Sequence, residues 1–419
     1  MSIGYACITK GVPDANYKTC RKKNATEEKL KSLIEHNLIV LDKMIEYNHQ
    51  EGIRLFRISS DIIPFGSDFT VNDIDWTAVY KDLFDQIGEK INRYGIRVSM
   101  HPGQYTVLNS PRKDVVERAI DDLIYHTLFL DALHVSAESK IILHVGGVYG
   151  DKSSAIDKFV SVYEQLENRI KDRLIIENDD RSYTIEDVLG ISERTGAPVV
   201  YDNLHNRLNS ADDTQLDSYW IKRAKSTWKE KDGRTKVHYS QQQIYGKEGS
   251  HSQSILIDEF MAFYEDVEPC DVDIMLEVKD KNLSAKKCQL ATTSSPEIKD
   301  LEKEWARYKY AVLERSPAIY DSIRQLLKDK EAYPVIPFYR LIEAALSQEV
   351  EMKTAVNSLD HVWGYVKNKV TEKEKEKYRG YKSKLPEDEK TLKKAKGYLY
   401  KLAEKYEVDY LLYSLYFEF

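Results

Sequence analysis

The sequence predicts an α/β chain: a TIM-type (β/α)8 barrel followed by a C-terminal all-helical appendage. Three observations lead there. Eight short β-rich runs alternate with longer amphipathic stretches over about 290 residues, the pattern of βαβ units around a parallel sheet. No G-x-G-x-x-G follows the first run, which argues against a doubly wound dinucleotide-binding sheet. From about residue 300 the β-rich runs stop, and helical patterns continue to the end.

The eight runs are IGYACI (3–8), RLFRIS (54–59), RVSMH (97–101), KIILHV (140–145), RLIIEN (173–178), PVVYDN (198–203), KVHYS (236–240) and VDIMLEV (272–278). Residues 27–50 and 114–136 lie between runs and read as helices; the second places Val115, Ala119, Leu123 and Ile124 at helical spacing. Segments 301–316, 317–329 and 337–349 read as helices of the appendage. Residues 370–406 read as a charge-rich helical pair broken near Leu385-Pro386. These patterns divide the chain into a barrel domain, 1–300, and a helical extension, 310–419.

Composition sets limits on function. At 42% hydrophobic and 31% charged, the chain is an ordinary globular protein. It has no apolar run long enough for a transmembrane helix, and its start lacks the pattern of a secretory signal. Four separated cysteines with no C-x-x-C predict free thiols in a reducing cytoplasm. Net charge is −7 and unevenly spread: residues 310–419 carry 20 Lys/Arg and 18 Asp/Glu, and residues 1–309 carry 42 and 51. Carboxylates gathered around metal ions would account for part of that deficit, so an acidic balance does not exclude a nucleic-acid substrate.

In a barrel the functional face lies at the C-terminal strand ends. Polar residues recur there. Tyr5 and Thr9 belong to the first strand and its end, and Ser59, Ser60, Asp61 and Asp68 follow the second. His101 ends the third, His144 the fourth and Glu177-Asn178 the fifth. Asp202 ends the sixth, with His205 three residues on. Lys236 and His238 share a face of the seventh, His251 follows, and the eighth carries Glu277. A lone histidine at a strand end reads as a satisfied core residue. Imidazoles or carboxylates at six consecutive strand ends do not, because such groups are expensive to bury unpaired, and clustered carboxylates repel unless a cation sits among them. Nitrogen and oxygen donors without thiolate suit Mn, Zn, Fe or Co. Five histidines with Glu177, Asp202 and Glu277 exceed the ligands of one ion, which implies two or three. Closely spaced ions point to phosphodiester hydrolysis; a sugar-isomerase-like barrel with one or two ions is the rival.

The motifs IGYACIT, RLFRISSDIIPFGS, SMHPGQYTVLNSP, LHVGGVYGDK, LIIENDD, VVYDNLHN, KVHYSQQ, GSHSQSI and MLEVKDKN, in order over roughly residues 3–290, resemble the ultraviolet-damage endonuclease family. The resemblance implies a cluster of two or three divalent ions, usually Mn2+, with Zn2+ or Co2+ as alternatives. It implies nicking of double-stranded DNA immediately 5′ to pyrimidine dimers, 6-4 photoproducts and some abasic sites. By motif, the ligands would be His101, His144, Glu177, Asp202, His205, His238, His251 and Glu277. Asp68 stands where some relatives place a histidine and is a further candidate. Lys236 matches a lysine that looks carboxylated in family members and would act in catalysis. Tyr5 would line the pocket for damaged bases. Gln104-Tyr105 resembles the family's probing dipeptide, which wedges into the duplex. Thr9 and Asn109 are further candidate DNA contacts, and Lys152 and Arg207 candidate phosphate contacts. The resemblance further implies a cytoplasmic, nucleoid-associated protein with no membrane and no obligatory protein partner. A related apurinic/apyrimidinic endonuclease and a damage-binding scaffold are the alternatives.

The appendage lies outside that resemblance and looks similar to an uncharacterised bacterial helical family. Residues 366–405 carry 14 basic and 7 acidic residues interleaved with tyrosines. Two readings stand: a surface that holds duplex DNA nonspecifically, and the solvated face of a stabilising cap. His361 is given no metal role.

Overall fold

A computed structural model describes residues 1–385 and 389–419 and divides the chain into two compact units. The first comprises 1–9, 15–255 and 259–286; the second comprises 10–14, 256–258 and 287–419.

All eight predicted runs are strands of one parallel sheet: β1 Ile3–Cys7, β2 Leu55–Ile58, β3 Arg97–Met100, β4 Ile141–His144, β5 Leu174–Glu177, β6 Val199–Val200, β7 Lys236–Tyr239 and β8 Asp273–Leu276. Their order is β6-β5-β4-β3-β2-β1-β8-β7. A parallel bridge between Asp202 and His238, with the His238 N–H donating to the Tyr201 carbonyl at 2.8 Å, joins β6 to β7 and closes the barrel. β6 is shorter than its run because the chain turns into the helix Asn203–Leu208 at once. Asp202 caps that helix, its carboxylate accepting the His205 N–H at 2.8 Å.

The pleat decides what points inward. Residues two apart share a face. Beneath Arg57, His144, Glu177, Asp202 and Glu277 lie Leu55, Ile142, Ile175, Val200 and Met275, one repeat toward the strand starts and all buried. The barrel interior is therefore a floor that is apolar except for Ser99 beneath His101 and Lys236 beneath His238, under a polar layer. Gly4 lets β1 approach β2: a Cβ there would lie 2.0 Å from the Leu55 carbonyl oxygen.

The helix predicted over 114–136 runs from Lys113 to Ala132. It stops early because His134 takes a left-handed φ of 52°, which a continuing helix cannot accommodate.

In the second unit, the helices predicted at 301–316, 317–329 and 337–349 are Ile298–Arg315, Pro317–Leu326 and Val335–Leu346. Met352–Val366, Glu372–Lys382 and Glu389–Lys405 follow. The expected break at Pro386 lies outside the described residues. Leu359, Val362, Leu399, Leu402 and Tyr416 form part of this unit's own apolar core. Among the described residues, no helix is long and apolar enough to cross a membrane.

Thr371 begins Glu372–Lys382 with a capping box. Its partner Glu374 also meets Lys405 Nζ at 2.7 Å and accepts from the Tyr406 hydroxyl at 2.7 Å. The bond from Lys405, then that from the Thr371 N–H, lower this carboxyl to about 2. A depressed carboxyl stabilises above its unfolded pKa, near 4.3, and loses that contribution as pH falls toward the folded value. Glu374→Gln is therefore expected to flatten the acid limb of a melting-temperature profile between about pH 4.5 and about pH 2. An identical acid limb in wild type and variant would refute this.

Candidate metal centre

Glu177, at the end of β5, is the hub of the polar layer. Its Oε2 lies 3.0 Å from His101 Nε2 and 3.5 Å from His144 Nε2. Its Oε1 lies 2.6 Å from His238 Nδ1 and 3.9 Å from His205 Nδ1. Glu277 on the opposite wall is 3.3 Å from His238 Nδ1 and 3.6 Å from His251 Nε2. Asp202 stands 3.8 Å from His205 Nδ1. All eight ligands named by motif thus fall into one connected cluster.

The donor set fits divalent cations. His101, His144 and Glu177 present ligand atoms within 4.8 Å of one another, and so do Glu177, Asp202 and His238. Buried polar atoms should have partners, yet His238 Nε2, Asp202 Oδ2 and His144 Nδ1 are buried with no hydrogen-bond partner among the described residues. The chemistry is nitrogen and carboxylate oxygen without thiolate, a set suited to Mn or Zn rather than Ca.

Charges inside the layer are tightly linked. Burial pushes the Glu177 carboxyl up, but His238, His144 and His101 outweigh it and hold it well below the usual carboxylate range. Burial opposes ionisation of Glu277 likewise, and Arg57 with His238 overcomes it. Burial raises Asp202 and lowers His144 to about 4. At His205 burial is overridden by Asp202 and Glu177, which lift it to about 9. Lys236 lies in the floor layer directly beneath His238. Burial, with Arg97 and Arg57 adding the same sign, pushes its ammonium well below the ordinary lysine range.

Four residues support the ligands: Asn178 and Ser60 belong to the strand-end set, and Arg57 and His126 were not anticipated. Arg57 Nη1 lies 2.5 Å from Glu277 Oε1; the signal was an arginine in the middle of an otherwise apolar strand. Asn178 accepts the Asp202 N–H at 2.9 Å and donates to the Asp202 carbonyl at 3.1 Å, fixing the two strand ends together. Ser60 Oγ donates to the His101 carbonyl at 2.5 Å and lies 2.9 Å from Nε2 of the buried His126. No sequence pattern marks His126, because its helix does not belong to the strand-end set.

A family model described as UV-endonuclease UvdE matches residues 2–309. The chain is 40% identical over 413 residues to the UV DNA damage endonuclease of Clostridium perfringens, spanning 97% of both chains. The chain belongs to the UV-endonuclease UvdE family. It is also 32% identical to the UV-damage endonuclease of Schizosaccharomyces pombe, over 67% of this chain and 48% of that protein. The crystal structure of SacUVDE matches with a TM-score of 0.65 and 36% identity, covering 69% of this chain and 96% of that one. Residues 309–419 match a second model, DUF1722, described as a protein of unknown function.

In this UvdE-family barrel a cleft of about 1290 Å³ opens beside the cluster, and His144 and His205 form part of its wall. Gln104 and Tyr105 line it as well. They occupy the two central positions of a turn closed by the Thr106 N–H on the Gly103 carbonyl at 3.0 Å, and Tyr105 is 83% exposed. Arg118, Arg181 and Lys247 add cations that the sequence reading did not single out.

Other expected contacts sit elsewhere. Tyr5 is fully buried, its hydroxyl 2.7 Å from Thr9 Oγ1 and 2.8 Å from Asn48 Oδ1, so the pair braces β1 instead of facing the cleft. Asn109 is buried as well, donating to the Gly147 carbonyl at 2.8 Å and the Tyr183 hydroxyl at 3.0 Å; it holds a loop and presents nothing to a phosphate. Asp68 does not join the cluster. Its carboxylate pairs with Lys22 at 3.0 Å and accepts from Thr70 at 2.5 Å. Lys152 pairs with Asp187 at 2.7 Å, and Arg207 is exposed on the helix Asn203–Leu208.

Proposed function

We propose that this endonuclease nicks double-stranded DNA immediately 5′ to pyrimidine dimers and 6-4 photoproducts, and at some abasic sites, by metal-assisted hydrolysis. The observation that carries the reading is one cluster of five imidazoles and three carboxylates meeting a cleft that exposes Gln104 and Tyr105. His101, His144 and Glu177 would hold one ion, and Glu177, Asp202 and His238 a second. His205, His251 and Glu277 extend the set toward a third, with Mn2+ preferred over Zn2+ or Co2+. Bound there, such a cluster supplies Lewis-acid stabilisation at the attacking and leaving oxygens of a phosphodiester.

The chain's own residues do the positioning. Arg57 keeps Glu277 ionised and aimed at His238. Asn178 fixes Asp202, and Ser60 with His126 fixes the His101 backbone. Burial favours the neutral amine of Lys236, the form that adds carbon dioxide: an N–C bond forms, a proton leaves to solvent, and a carbamate results. That carbamate would face the cluster as a fourth anion beside its three carboxylates.

A photoproduct already weakens stacking, so extruding it costs less than extruding normal bases. Gln104 and Tyr105 would fill the gap. Tyr105→Ala is expected to lower kcat/KM on a dimer-containing duplex roughly 10- to 100-fold, since stacking one base on an aromatic ring contributes about 1–3 kcal/mol. The melting temperature should stay unchanged, because the ring is exposed. Wild-type kcat/KM in that variant would remove the wedge role.

The reading is tested by incision of three labelled duplexes, one with a defined dimer, one with an abasic site and one undamaged, with Mn2+ and with EDTA. Expected is a metal-dependent cut 5′ to the dimer that is absent on undamaged DNA. Cutting of the abasic duplex alone would replace the reading with an apurinic endonuclease. No cutting by folded, metal-loaded protein would overturn it.

A further inference from the structure

We infer that the second unit carries a nonspecific binding surface for duplex DNA backbone, centred on the helix Glu389–Lys405. The partner class rests on the function proposed above; the surface itself rests on placement and charge.

Charge in residues 310–419 is polarised. Residues 366–405 hold 14 of the 20 basic residues and 7 of the 18 acidic ones. The excess is 7 positive charges there and 5 negative charges over the remainder. Within the helix the lysines are gathered as well. At about 100° per residue, Lys390, Lys393, Lys394 and Lys401 fall within roughly 100° of arc, opposite the buried Leu392, Ala395, Leu399 and Leu402. Among the described residues that arc holds one acid, Glu404. Lys393, Lys394 and Lys401 are exposed, and none has a carboxylate within ion-pair distance among the described residues. The preceding helix, Glu372–Lys382, extends the surface: Lys377 Nζ sits 4.7 Å over the ring of Tyr398, which borders the lysine arc one turn on from Lys394.

A second observation separates this from an ordinary solvated face. Gly397 stands in the middle of the lysine arc, and a Cβ there would meet nothing within 4 Å. Glycine is the poorest helix former after proline, and no packing in the unit requires it. Its bareness leaves the helix backbone open to close approach between flanking lysines. From Lys390 to Lys401 the helix rises about 16 Å, enough to track several phosphates at about 3.4 Å of axis per base pair. Lysines as flexible point charges, without the arginine forks that read carboxylates or bases, suit sequence-independent phosphate contact.

The test compares the full chain with Lys393→Glu/Lys394→Glu/Lys401→Glu for binding to an undamaged duplex of about 30 base pairs across 50–200 mM salt. Expected is at least tenfold weaker binding at mid-range salt. The plot of log affinity against log salt should be shallower by roughly 2–3, about 0.9 for each lost phosphate contact. Gly397→Leu should weaken binding several-fold at unchanged charge, while Gly397→Ala raises the melting temperature. Incision of a saturating lesion duplex by the triple variant should stay within about twofold of wild type. Unchanged affinity and slope in a folded triple variant would overturn the inference. So would a loss of polyglutamate binding as large as the loss of duplex binding, which would make the surface an acidic-peptide site. Failure of wild-type incision with the salt-dependent binding intact would instead strike only the photoproduct reading.

Discussion

Glu177→Gln is expected to reduce incision roughly a thousandfold or more and to strip most of the bound metal, while the barrel stays folded. One carboxylate serves two potential ligand groups here, with Oε2 toward His101 and His144 and Oε1 toward His238. Those imidazoles hold it ionised against the pull of burial, so its negative charge is what the cluster is built around. Glutamine keeps the volume and one acceptor oxygen and removes that charge. Lewis-acid stabilisation in such sites is worth several kcal/mol, and each 1.36 kcal/mol is tenfold in rate, which sets the expected scale. Metal content per chain, measured by elemental analysis after dialysis, is the readout that does not depend on turnover. Wild-type stoichiometry together with wild-type incision in the variant would sink the assignment of Glu177 as the shared ligand. Loss of incision with metal retained would place its role in chemistry instead of retention.

How far the sequence reveals this site depends on which physical rule made each residue visible. The eight strands were legible because parallel barrel strands are buried on both faces and read as unbroken apolar runs. Their polar ends were legible because a buried charge at a run's terminus is anomalous under that same rule. His101, His144, Glu177, Asp202 and Glu277 lie at or next to the last residue of a run, His238 shares a face with Lys236 inside its own, and the structure brings them together with His205 and His251. Arg57 broke the rule inside a run and was passed over, although its partner Glu277 lies 220 residues away, where no local pattern reaches. His126 is invisible for a different reason: it acts on His101 through Ser60, from a helix whose amphipathic pattern hides one more buried polar residue. Tyr5, Thr9 and Asn109 were placed near the site by strand-end position and family resemblance. Their side chains turn to neighbours in the wall, a choice made by hydrogen-bond satisfaction in three dimensions and not by sequence spacing.

Lys140→Met is expected to destabilise the barrel by about 3–5 kcal/mol. Lys140 directly precedes β4. Its ammonium lies 2.6 Å from Asp232 Oδ1 and donates to the Asp172 carbonyl at 2.7 Å, with the two side chains 1% and 3% exposed. Methionine fills the volume but leaves a carboxylate buried without its cation and a carbonyl without its donor. Because the desolvation of both charges was already a liability, removing both should do less harm than removing one. Lys140→Met/Asp232→Asn should therefore recover most of the loss, the amide oxygen still accepting the Lys229 N–H that Asp232 holds at 2.9 Å. Chemical denaturation of the two variants measures this, and a double variant as unstable as the single would refute it. Incision per folded molecule should be unaffected in either. Lys140, Asp172 and Asp232 all stand before the strands they serve, as do Arg173, paired with Asp131 at 2.7 Å, and the Arg97–Asp273 pair at 2.8 Å, at the start of β3 and β8. The barrel thus sorts its buried charges by end. Apart from Arg57–Glu277, the ion pairs that neutralise one another sit at the N-terminal ends, where they hold strands in register. Imidazoles and carboxylates that leave lone pairs uncommitted sit at the C-terminal ends, where an ion and a phosphodiester can use them.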